Sequence, residues 1–146
     1  MLNQYFAILG AVIVGICVAL EPTVNSGLGK YITPRLAALH SFIVGSVLIL
    51  IINLVYGGFR EYRLIVKAPP YFWIGGLLGV IVVYVGARVA PIIGIASTVT
   101  IMVTVQLATS ILIDHLGLFG VTKVPVDAGR VAGVVLMIIA VKLIVK

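Results

Sequence analysis

From Met1 to Leu20 no side chain carries a formal charge, and the same holds over Leu36–Tyr56, Ala68–Ala87, Val89–Ile113 and Val131–Val141. A run of about 20 apolar residues is the length that crosses the roughly 30 Å hydrocarbon core of a bilayer as a helix. Lipid offers no partner to a bare backbone N–H or C=O, so only helices and closed barrels can span it. The runs here are continuous and lack the alternation of a barrel strand. The expectation is an all-α membrane protein with five transmembrane helices. They are read over about residues 4–28, 34–56, 70–88, 91–114 and 128–145, within one five-helix domain covering 1–146. Pro34, Pro70 and Pro91 are read at first-turn positions, where a missing N–H costs nothing.

Composition agrees with a lipid solvent: 62% of the 146 residues are hydrophobic and 10% are charged. A soluble domain of this size needs more polar surface. The net charge of +6 would suggest nucleic acid in a soluble chain. Here the basic residues stand singly between apolar runs, so they read as topology signals and lipid-headgroup contacts. No nucleic-acid partner is expected. Cys17 is the single cysteine and cannot form an intrachain disulfide. The segment MLNQYFAILG lacks a basic leader region and is expected to stay as the first helix. Tyr71, Phe72 and Trp73 suit an aromatic belt at the membrane boundary.

With five spans the two termini lie on opposite sides. Arg60, Arg63, Lys67, Lys123 and Arg130 then fall on the N-terminal side. Lys30, Arg35, Arg88, Lys142 and Lys146 fall on the other. Five against five gives the positive-inside rule nothing to act on. The expectation is dual topology, with copies inserted both ways pairing as an antiparallel homodimer, or with a paralogous subunit. Two inverted chains would together form the inverted repeat of a secondary transporter. Small residues spaced by four would let helices approach closely: Ala37, Ser41 and Gly45; Gly75 and Gly79; Gly129 and Gly133.

Glu21 interrupts the first run, with Pro22 beside it and Asn25 one turn on. Glu21 and Asn25 share a helix face. Pro22 cannot donate to the carbonyl of Val18. Glu21 lies roughly 7 to 8 Å from the middle of its span, too deep for a short side chain to reach water. An acidic residue inside a membrane points to function, and a low dielectric favours exchange of a proton for a substrate. Glu21 is thus the expected coupling residue, with Asn25 beside it and Pro22 as a gating or kink position. The fourth span carries Thr98, Met102, Gln106, Ser110 and Asp114 at steps of four. Gln106 needs polar partners in lipid and is read as a binding or helix-contact residue. Asp114 sits at a helix C-terminus, where the dipole disfavours an anion. A cationic partner is expected for it, Arg35 or Lys30, and Asp114–His115 are read as a boundary clamp. His40 reads as a helix-contact residue and Asn53 as interfacial.

Two histidines and one cysteine, far apart, give no metal spacing, and no phosphate-binding loop is present. No cofactor, metal or catalytic residue is expected, and the chain is not read as an enzyme.

Several segments resemble one family: EPTVNSGLG (Glu21–Gly29), AALHSFIVGSVLIL (Ala37–Leu50), WIGGLLGV (Trp73–Val80), VQLATSILIDHLGLFG (Val105–Gly120) and AGRVAGVVLMIIAV (Ala128–Val141). They are similar to the short, half-length bacterial members of the drug/metabolite transporter superfamily. They look most like its YdcZ-type branch, related to the small multidrug resistance transporters. The resemblance implies a five-helix unit in the bacterial inner membrane, pairing of two units, and export of a small organic molecule. Similar short transporters export cations through antiparallel dimers, using a first-helix glutamate shared with protons. The resemblance supports Glu21, Asn25, Ser41, Gln106 and Asp114 as positions of interest. The pattern of that branch often carries glutamine where Glu21 stands. Two other readings stand beside the exporter: a non-transporting scaffold subunit of a larger membrane complex, and one half of a heterodimeric transporter.

Overall fold

The computed structural model describes residues 2–57 and 59–145. Met1, Gly58 and Lys146, which entered the reading of the N-terminus, the longest connection and the charge count, lie outside the described residues. Every regular element among the described residues is helical: α1 (Leu2–Gly29), α2 (Pro34–Tyr56), a single turn α3 (Phe59–Tyr62), α4 (Gly75–Ile93), α5 (Ile95–Leu116) and α6 (Ala128–Ile144). Short 3-10 turns cover Arg63–Lys67, Pro70–Ile74 and Leu118–Gly120.

Among the described residues four helical segments are long and apolar enough to cross a membrane: Gln4–Gly29, Pro34–Tyr56, Pro70–Ile93 and Ile95–Leu116. The first two match the expected spans closely. The expected fifth span corresponds to α6, which is apolar but only 17 residues long. At the helical rise that is roughly 26 Å, just under the thickness of the hydrocarbon core.

Local chemistry explains most of the helix ends. Thr33 caps α2, its hydroxyl accepting from Leu36 N at 3.2 Å, and Pro34 occupies the first turn as expected. Gly57 ends α2 in the left-handed conformation. Asp127 caps α6 by accepting from Arg130 N at 2.9 Å. One boundary differs from the sequence reading. Pro91 lies inside α4 and does not begin the next helix, and Arg88 is therefore within α4, not at its end. The break falls at Gly94, whose φ of 85° is open to glycine and strained for other residues. A proline this near the end of a helix removes one N–H without preventing another turn from forming.

The chain divides into two units, Met1–Pro91 and Ile92–Lys146. In the first, α1 and α2 pack as a hairpin closed tightly at Gly29, where a Cβ would lie 3.3 Å from Pro34 N. Ala37 and Ala38 of α2 and Ala87 and Ala90 of α4 are buried. Glycines on α4 face the hairpin: a Cβ at Gly79 would lie 3.5 Å from the Phe42 ring, and one at Gly86 would lie 3.7 Å from Pro22 Cβ. These small residues bring the helices together, as in membrane packing generally. Large side chains such as Ile13, Leu20, Ile43 and Leu78 remain more than half exposed, the pattern of a surface that meets lipid. In the second unit, α5 and α6 form another hairpin. Its connection is pinned by Val124 N, which donates to the Asp114 carbonyl at 2.9 Å.

Candidate functional site

In the first unit Glu21, Asn25 and Ser41 come together. The i, i+4 spacing puts Glu21 and Asn25 on one face of α1, and the hairpin turns Ser41 of α2 toward them. The Ser41 hydroxyl donates to Asn25 Oδ1. Asn25 is buried at 2% exposure, so this bond satisfies an amide oxygen that would otherwise lie unpaired in an apolar setting. The sequence places Asn25 as the partner of Glu21; its amide oxygen is instead engaged across the hairpin.

Glu21 is half-buried. Among the described residues its carboxylate makes no ion pair and no hydrogen bond. It lines a cleft of about 290 Å³ together with Ser41, Phe42, Gly45, Ser46, Ile49 and Val83. It also borders a wider groove of about 750 Å³ along α1 and α2, where His40, Ser41, Cys17 and Gly45 join it. Pro22, on the adjacent face, is buried against α4 at Gly86. One carboxylate, one hydroxyl and one imidazole thus border an otherwise apolar groove. Such a wall can take an organic molecule against its aliphatic side and a polar or charged group at Glu21.

The remaining expected site residues lie in the second unit. Gln106 is exposed on α5, and its backbone carbonyl accepts from the Ser110 hydroxyl at 2.7 Å. Asp114 has a cationic partner, but it is neither Arg35 nor Lys30. Arg130 Nη1 donates to Asp114 Oδ2 at 3.3 Å, and Arg130 Nε lies 3.9 Å from Asp127 Oδ2. The physical reason is the path of the chain. The 117–127 connection returns the start of α6 to the end of α5, so the first-turn arginine of α6 meets the last-turn aspartate of α5. His115 Nδ1 accepts from Val126 N at 3.4 Å and holds the same connection. Asp114 and His115 thus each bond within the α5–α6 hairpin. Gly129 sits against the Asp127 cap, where a Cβ would be 3.1 Å from Oδ1, while Gly133 faces open space.

Sequence reasoning gave His40 only a packing role, although its i, i−1 relation to Ser41 was legible. It also missed Tyr84 and Arg88, one turn apart on α4. Arg88 Nη1 donates to Tyr84 Oη at 3.1 Å, and the guanidinium lies 5.7 Å from the Tyr84 ring centre. Their i, i+4 spacing was visible, but Arg88 was read as ending its helix. Among the described residues no group of three or more His, Cys, Asp and Glu side chains could hold a metal ion.

No curated protein and no solved structure matches the chain. A family model, described as "Putative inner membrane exporter, YdcZ", matches residues 6–143. That match covers three of the four long apolar helices in full and nearly the whole of the first and of α6. This multi-pass helical membrane protein belongs to the YdcZ family of inner membrane exporters.

Proposed function

We propose that the protein is a secondary active exporter of a small organic molecule, built from two five-helix chains inserted in opposite orientations, with Glu21 as the coupling residue. The observation that carries this reading is the Glu21 carboxylate, half-buried and unpaired beside the Ser41–Asn25 bond in an apolar groove. A carboxylate in such a place is costly unless a proton or a substrate group meets it during the working cycle. The groove is open along α1 and α2, so a second chain would supply its missing wall. In this reading α6 is the fifth span, and the equal count of basic side chains on the two sides permits both orientations.

The test is proton flux driven by substrate in proteoliposomes, after a solute panel has identified a bound compound. Glu21→Gln keeps the shape of the side chain and replaces its carboxyl group by an amide. It is expected to fold, to abolish proton-coupled flux, and to retain binding of a neutral substrate. Equal coupled flux in wild type and Glu21→Gln would leave Glu21 as a packing residue. Absence of any flux from either protein, with the chain found in a stable larger assembly, would favour a scaffold subunit.

A further inference from the structure

We propose that Arg35, Tyr84 and Arg88 form an anion-binding subsite at the end of the first unit opposite the α2–α4 connection, taking a phosphate-type anion. Arg35 and Arg88 line one cleft of about 370 Å³ with Tyr84, Thr33 and Pro34. Neither arginine makes an ion pair among the described residues. Arg130, by contrast, has two carboxylates within reach.

Three physical arguments converge on an anion. The first is depth. Arg88 lies five residues before the end of α4, roughly 7 to 8 Å along the axis from it. Side chains on a helix lean toward its N-terminus, so Arg88 folds back toward Tyr84 and away from the near boundary. A guanidinium that only sought water would extend the other way. Here it is held, by the Tyr84 hydroxyl and over the Tyr84 ring. The second is the helix end. Arg35 is the second residue of α2, where the helix dipole is positive and disfavours a cation. An anion beside Arg35 offsets this unfavourable interaction. The third is donor geometry. Tyr84 Oη accepts from Arg88, which leaves the phenol hydrogen free to donate. Two guanidinium forks and one hydroxyl match the oxygens of a phosphate.

The same chemistry is offered by the headgroup of an acidic phospholipid and by a free phosphate-bearing solute. Purified protein in neutral detergent is tested in two arms: equilibrium binding of radiolabelled inorganic phosphate, and retention of phosphatidylglycerol by native mass spectrometry. The variants are Arg35→Gln, Arg88→Gln and Tyr84→Phe, with Lys142→Gln on α6 as the control for general charge loss. Saturable phosphate binding that weakens on the order of tenfold in the arginine variants, less in Tyr84→Phe and not in Lys142→Gln, establishes the site with a free anion as its ligand. Phosphatidylglycerol retention with that pattern, and no saturable phosphate binding, establishes it with a lipid headgroup. Should Arg88→Gln fail to fold, Arg35→Gln and Tyr84→Phe carry the comparison. Unchanged binding in both arms, or an equal loss in Lys142→Gln, overturns the proposal.

Discussion

Ser41 Oγ donates its hydrogen to Asn25 Oδ1, joining α2 to α1 across sixteen residues of sequence one turn from Glu21. The acceptor is almost fully enclosed, and the bond ties the two helices of the hairpin together. It fixes the face that α2 turns toward Glu21 and so sets the composition of the cleft wall.

Removing the donor alone leaves the Asn25 amide oxygen buried without a partner. Ser41→Ala is expected to destabilise the protein by about 1 to 3 kcal/mol. The double variant Asn25→Ala/Ser41→Ala is expected to lose less than the sum of the two single changes. Denaturant unfolding in mixed micelles measures all three. Strict additivity would mean that the two side chains do not depend on each other.

The Asp114–Arg130 pair is partly exposed, with side-chain exposures of 40% and 30%. Its contribution is therefore expected to be modest, about 0 to 1 kcal/mol. A double-variant cycle of Asp114→Asn with Arg130→Gln is expected to show coupling in thermal unfolding. Cycles of Asp114→Asn with Arg35→Gln or Lys30→Gln are expected to show none. Coupling to Arg35 would restore the pairing suggested by the sequence.

Glycines at two positions separate folding from association. A Cβ at Gly79 meets the Phe42 ring at 3.5 Å, so Gly79→Leu forces bulk into the α2–α4 contact and is expected to destabilise the chain by about 1 to 3 kcal/mol. Nothing lies within 4 Å of a Cβ at Gly133. Gly133→Leu is expected to fold normally and to weaken dimers measured by energy transfer in liposomes. Unchanged dimer affinity would move the interface to another face.

In the five-span reading, the balance of five basic side chains against five sets an expectation about insertion. Reporter fusions at the C-terminus are expected to show both orientations in cells, and two lysines added to one connection are expected to bias the population to one. A single orientation in the unmodified chain would remove the antiparallel homodimer and favour pairing with a paralogous subunit.

The sequence by itself determined the lipid solvent and the helical character of the chain. Each long uncharged run carries its own preference for lipid, and lipid admits a helix whatever the neighbouring runs do. Helix caps were equally local: Thr33 with Pro34, and Asp127 three residues before Arg130, act within one turn. The Glu21–Asn25 stripe followed from helical periodicity alone. Only the tertiary structure decided partners. Ser41, and not Glu21, bonds Asn25 because the α1–α2 hairpin sets which α2 face turns inward. Arg130, and not Arg35 or Lys30, reaches Asp114 because the 117–127 connection folds back on α5. Pro91 reads in sequence as a first-turn proline, but the helix continues through it and the break falls at Gly94, whose φ is positive. A helix is specified by bonds between residues four apart, whereas a polar pair in a membrane depends on how two helices rotate and where a loop returns, and neither is written in local sequence.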